Sequence, residues 1–195
     1  MELMDPSEVL AQEVRAALAR LWLRSSDRVG RGSRLRGRPF VRNLGRMEIG
    51  DDFVASSIPV RTHLVTGPKG VLRIGNRVRI AHGASISAQA ELIIGDDCVI
   101  GPFAMLIDSD YHDASDRRAV AEAKPIHIGR GVRIGAGVVI LRGAVIGDGA
   151  VIEPRSVVSR YIPAGAHAAG VPARPVIARM SAPYEGALGA LGIVK

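Results

Sequence analysis

Between Leu106 and Ile128 the chain carries Asp108-Ser109-Asp110-Tyr111-His112-Asp113, one histidine set among three aspartates and a tyrosine. An imidazole, with an ordinary pKa of about 6.5, is the side chain best matched to taking a hydroxyl proton near neutral pH. A carboxylate on its second ring nitrogen would fix the tautomer. Asp108, Asp110 and Asp113 are all near enough in sequence to serve, Asp110 being carried as a candidate, and the residues do not choose between them. Asp108 and Tyr111 are also candidate contacts for a substrate. The polar run continues through Arg117 and Arg118 to Lys124-Pro125.

What must hold this segment is a pattern on either side of it. Ile128, Ile134, Ile140, Ile146, Ile152 and Val158 recur every six residues, and a smaller residue precedes the last five by two: Val132, Val138, Ala144, Ala150 and Ser156. Neither a 3.6-residue helix nor a plain alternating strand has that period. Short strands separated by tight turns do, with each large aliphatic stacked on its counterpart in the next coil, as in a parallel β-solenoid. The period also runs through Ile74, Ile80 and Ile86, slips by two, and resumes at Ile94, Ile100 and Leu106. The gap from Leu106 to Ile128 is therefore an insertion into a regular stack. Insertions of that kind fall on one face, often the binding face, and long loops in compact domains are usually functional.

The rest of the 195 residues fits one domain with a 47% hydrophobic core supply and only 4% aromatics. Asp5, Pro6 and Glu8 mark a helix start of capping-box type, and Leu10, Val14, Ala17, Leu18 and Leu21 recur on one helical face expected to pack on the solenoid or on a neighbouring subunit. Residues 24–46 hold eight arginines against the single acid Asp27, a local +7 that equals the formal net charge of the whole chain. The expected role is a solvated surface over an irregular first coil, with an anionic ligand as the functional alternative. Phe40 is the only aromatic there, so no stacking platform for bases exists and nucleic acid is not expected as a partner. Regular coils are expected from Met47 to Val176, after a lead-in of 1–46 and before a tail of 177–195. Cys98, the sole cysteine, allows no intramolecular disulfide and reads as core. No apolar run nears the roughly 20 residues of a membrane span, and the N-terminus has no signal-peptide pattern, which together predict a cytoplasmic protein.

The hexapeptide period, the DSDYH segment, the run AKPIHIGRGVRIGAGVVILRGAVIGDGAVI and the closing AAGVPARPV resemble the left-handed β-helix acyltransferases. Within them the chain is most similar to sugar O-acetyltransferases of the galactoside, maltose and surface-polysaccharide type. The resemblance implies an all-β left-handed parallel β-helix with a short N-terminal α-helix and an extended loop from one coil. It further implies a homotrimer, acetyl-CoA as donor, a sugar or glycan acceptor, and active sites in clefts between subunits. Handedness comes only from the resemblance, because parallel crossovers are right-handed in about 98% of cases. His112 takes the position of the catalytic base. Gly135, Ala136, Ser159, Arg160 and Arg174 take positions that meet the donor, the arginines being suited to its phosphates. His82 is a candidate acceptor contact; His127 should face outward, and His63 and His167 should lie on the surface.

Three positions depart from the family pattern. Arg133 replaces a common tryptophan, Pro154 removes an amide donor, and Ala81 replaces an asparagine of the acceptor region. They keep open a trimeric scaffold without turnover, while N-acetylation of an amino sugar is a further alternative. A zinc site of the carbonic anhydrase kind needs three converging histidines; the spacing of His82, His112 and His127 differs from that family's, and no metal is expected.

Overall fold

The computed structural model describes residues 6–110 and 122–176, with side chains from residue 13 onward. Tyr111, His112, Asp113, Arg117 and Arg118, and the tail after 176, lie outside the described residues. After the helix α1 (Pro6–Trp22), strands recur in threes. The first two coils are β1 (Arg28–Val29), β2 (Arg34–Arg36), β3 (Phe40–Asn43) and β4 (Arg46–Ile49), β5 (Val54–Ser56), β6 (His63–Thr66). The next two are β7 (Val71–Ile74), β8 (Arg79–Ile80), β9 (Ser85–Ala88) and β10 (Glu91–Ile94), β11 (Val99–Ile100), β12 (Met105–Ile107). Two more follow: β13 (Ile126–Ile128), β14 (Arg133–Ile134), β15 (Val139–Ile140) and β16 (Val145–Ile146), β17 (Val151–Ile152), β18 (Val157–Val158). A last pair, β19 (His167–Gly170) and β20 (Ala173–Val176), closes the chain of strands.

Every third strand pairs in parallel, so three sheets form the sides of a prism: β1-β4-β7-β10-β13-β16, then β2-β5-β8-β11-β14-β17-β19-β20, then β3-β6-β9-β12-β15-β18. This is the left-handed parallel β-helix. The hexad aliphatics are in register within each side. Ile80, Ile100, Ile134 and Ile152 stack in the second sheet and Leu64, Ile86, Leu106 and Ile140 in the third. All are buried. The smaller residues two positions earlier are buried as well, because they fill the narrow corners where three strands meet. Glycine after an inward isoleucine has its own cause: a Cβ on Gly135 would stand 2.6 Å from the Pro154 nitrogen of the next coil.

Cys98 occupies one of the small-residue corners, fully buried, with its Sγ 3.0 Å from the Gly129 carbonyl oxygen it donates to. Burial pushes the thiol up to about 11. Its folded pKa is thus above the unfolded one, so its contribution to stability is intact below about pH 9 and lost as pH rises through 11. Native protein at pH 8 is expected not to react with an aromatic disulfide reagent, and to react fully once unfolded in urea. Cys98→Ala is expected to flatten the alkaline fall in stability by about 2–3 kcal/mol between pH 9 and 11.

Two expectations need correction and one is narrowed. The coils begin at Arg28, not Met47: Arg28 and Val29 pair with Glu48 and Ile49, and Arg34–Arg36 pair with Val54–Ser56. Only one inward aliphatic per strand is needed there (Val29, Leu35, Val41), and arginines fill the outward positions between, which hides the hexad. Within one chain the helix meets the coil through its last turn, which leaves the apolar stripe to the neighbouring-subunit alternative. Ala19 and Leu23 are buried in the same cluster as Leu35, with Trp22 against it, while Val14 and Leu21 are 50% and 55% exposed. The open first coil is capped by the end of the helix rather than by its longest apolar stripe. Finally, β20 runs antiparallel to β19, so the stack ends in a hairpin, tied back by the Gly170 N–H donating to the Ser156 hydroxyl at 3.1 Å. No helix among the described residues is long and apolar enough to cross a membrane.

Candidate functional site

The insertion leaves the prism where the third sheet turns into the first, between β12 and β13. The same corner takes extra residues between β6 and β7 and between β9 and β10, which accounts for the two-residue slip after Ile86. The inward residues before and after the corner keep their register in spite of the added length.

Both ends of the insertion are pinned. Asp108 is fully buried, and its two carboxylate oxygens accept the Gln89 and Ala90 N–H groups of the preceding coil, each at 2.7 Å. Burial holds its carboxyl above the ordinary range in spite of those bonds. With both oxygens engaged by backbone amides of the corner beneath, Asp108 anchors the segment. At the far end the Lys124 N–H donates to the Asp108 carbonyl at 2.8 Å, and the Gly143 N–H to the Lys124 carbonyl at 3.1 Å.

Arg142, on the same corner one coil further, clips the two ends together. Its Nε lies 2.6 Å from Asp110 Oδ2 and its Nη1 donates to the Glu122 carbonyl at 3.0 Å. Asp110 is thus committed to Arg142 while standing two residues from His112. Nothing in the hexad pattern singles out Arg142, although its place beneath the insertion, directly after the inward-stacked β15, was readable. Arg142→Ala is expected to cost less than about 1 kcal/mol globally, since both partners are partly exposed. Locally it should speed amide exchange at Lys124 and Gly143 at least several-fold. Unchanged exchange at both amides would show that the clip is idle.

The remaining candidates fall on two corners. Ser159 and the exposed Arg160 share the corner of the insertion, one coil beyond Arg142. Gly135 and Ala136 lie on the corner between the second and third sheets. There the Gly135 N–H donates to Ile152 and the Ala136 carbonyl accepts from Arg155, both at 2.8 Å. The Ala136 N–H has no hydrogen-bond partner among the described residues. His82 sits on this second corner, its ring edge-on to Phe103 with centroids 5.2 Å apart. Its Nδ1 is buried and has no hydrogen-bond partner among the described residues. Phe103 is 54% exposed and holds a φ of 58°, a region that bulky residues seldom adopt. Arg174 is exposed on the terminal hairpin. The described candidates therefore fall on two corners, on either side of the third sheet, with His82 on the corner opposite the one where the insertion leaves.

The other histidines behave as surface groups. His127 is outward-facing, its Nε2 2.9 Å from Glu91 Oε1. His63 lies against Phe40, with ring centroids 5.2 Å apart. His167 is half-buried, 3.7 Å from Glu153. Among the described residues no group of three or more histidine, cysteine or acidic side chains could hold a metal ion.

A family model for bacterial transferase hexapeptide repeats (six repeats) matches residues 125–160. Among solved structures, galactoside acetyltransferase in complex with coenzyme A is 27% identical, with 89% of this chain and 72% of that one covered and a TM-score of 0.57. A variant of AntD, an N-acyltransferase from Bacillus cereus bound to dTDP and coenzyme A, is 18% identical over 82% and 87% of the two chains, with a TM-score of 0.67. A hexapeptide-repeat acetyltransferase from Vibrio cholerae O1 biovar eltor bound to acetyl-coenzyme A is 21% identical over 92% and 94%, with a TM-score of 0.55. The last two likenesses speak to the fold. No curated protein sequence matches the chain.

Proposed function

We propose that this chain, which has the repeat and the fold of the left-handed β-helix acyltransferases, is an acetyl-CoA-dependent O-acetyltransferase acting on a hydroxyl of a sugar or glycoconjugate. The observation that carries the proposal is the single large insertion, pinned at both ends by Asp108 and Arg142, which carries the one histidine of the acidic segment. His112 is the general base. As the acceptor oxygen attacks the thioester carbonyl, the imidazole takes the hydroxyl proton. The tetrahedral adduct then collapses to the acetyl ester, expelling the CoA sulfur, which recovers the proton from the imidazolium.

Asp110 is assigned to the loop clip, and through it to the placing of His112. Gly135 and Ala136 would meet the amide-rich arm of the donor; Arg160 and Arg174 would pair with its phosphates. Because these positions lie on two corners of one prism, a complete site takes one half from each of two subunits, in keeping with a homotrimer. His82 and Tyr111 remain assigned to the acceptor. Acetyl-CoA is expected to bind with micromolar affinity in calorimetry, and a thiol-release assay across sugars, nucleotide sugars and amino sugars identifies the acceptor. Absence of saturable acetyl-CoA binding would leave a scaffold. Turnover confined to amino sugars would instead favour N-acetylation; AntD, of similar fold, is an N-acyltransferase.

A further inference from the structure

The outward positions of the second sheet form one continuous column. Arg34 pairs with Val54, Val54 with Arg79, Arg79 with Val99, Val99 with Arg133, Arg133 with Val151, and Val151 with His167. Arginine and valine alternate from strand to strand, and the three arginines are exposed while the valines are half-buried. At about 4.8 Å per strand, successive arginines stand roughly 10 Å apart and the three span roughly 20 Å. None of the three makes an ion pair among the described residues. Arg77, on the neighbouring corner, is spent on Asp97, with contacts of 2.6 and 2.8 Å.

Arg34, Val54, Arg79 and Val99 line one depression together with Asp52 and the mutually paired Arg77 and Asp97. The arginines without an ion pair stand in single file along the strand-to-strand direction, which suits a narrow, linear polyanion better than a broad anionic surface. From Arg34 to Val151 the column carries no aromatic ring on which bases could stack, whereas valine side chains between cations suit the C–H faces of sugar rings. The spacing of the arginines is comparable to the length of a disaccharide.

We infer that this column is a docking track for an acidic, linear glycan, its carboxylates paired with Arg34, Arg79 and Arg133, and that it leads along β14 to the corner of Gly135 and Ala136. The track refines the acceptor class and rests on the acetyltransferase reading only for the fate of the bound glycan. Arginine binds carboxylates bidentately and holds its charge at all working pH values, so the track does not depend on titration. It also accounts for Arg133 where relatives have an aromatic residue, and gives one arginine of the basic stretch, Arg34, a function.

The test is calorimetry of the full-length protein with octagalacturonate, with maltooctaose as the uncharged control and a single-stranded oligonucleotide of similar charge as the competitor class. The inference is one of charge and spacing, so the acidic octasaccharide is required to bind. It should bind at least tenfold more tightly than maltooctaose and weaken steeply with salt, and Arg34→Glu/Arg79→Glu should abolish the difference. Acetyl-CoA binding by that double variant should be unchanged. Equal binding of the two octasaccharides, octagalacturonate binding indifferent to the double variant, or oligonucleotide binding as tight and as arginine-dependent would each overturn the track. So would a change in subunit number by light scattering in the double variant, which would make the column a subunit contact. Loss of acetyl-CoA binding in the unmodified protein is a separate result and strikes the enzyme reading alone.

Discussion

His112→Ala is expected to give a folded β-helix whose acetyl transfer is down by about two to four orders of magnitude, the usual worth of a positioned general base. The stacked aliphatics of the described residues, from Val29 to Ala168, already form one continuous cluster along all three sides. Thermal unfolding of the variant should therefore match the parent within a degree or two. The loss should fall on kcat more than on KM for acetyl-CoA, because the donor positions are on other coils. The parent's kcat/KM should rise with pH as the imidazole loses its proton. That limb should vanish in the variant, leaving a slow reaction that grows with hydroxide. A purified variant of near-parental activity would remove His112 from the chemistry, whatever its place in the loop.

The repeat was legible because its cause is local. One large aliphatic per strand must point inward and one small residue must fit each corner, so composition at two positions in six fixes the coil. Where outward positions alone carry the character of the segment, as with Arg34, Arg36 and Arg42 in the first coil, the same geometry exists but the period is masked by charge. The contact α1 makes with its own coil was hidden for a related reason. Val14, Ala17 and Leu21 make the visible helical stripe, yet among the described side chains it is Ala19, Trp22 and Leu23 that reach the open end of the first coil. In the site, the position of the insertion followed from the broken period. Its fixings did not, because Asp108 finds its partners in backbone amides 18 and 19 residues earlier and Asp110 finds Arg142 a full coil later. Those are neighbours only across the stack. An aspartate beside a histidine invites a catalytic reading, and Asp108 shows how the same residue type can instead close a corner.

That corner supplies the second large effect. Asp108→Ala removes the acceptor of two short N–H bonds at a position with no solvent access. Each amide left unpaired costs on the order of 1–3 kcal/mol, so a loss of about 2–5 kcal/mol is expected. For a domain of this size that lowers the melting temperature by roughly 5–15 °C. Asp108→Asn keeps one oxygen but turns an NH2 toward the other amide, and should fall between parent and alanine variant. The pH dependence distinguishes this anchor from a salt bridge. Because burial raises the folded pKa of Asp108 above its unfolded value of about 3.8, the favourable term it adds is full below that value and is lost as pH climbs through the folded pKa. The stability gap between parent and Asp108→Ala should thus hold or widen as pH is lowered from 7 toward 4. A gap that closes on acidification would mean that the carboxylate is held by a cation rather than by Gln89 and Ala90. In that event the insertion would have a different root from the one its hydrogen bonds describe.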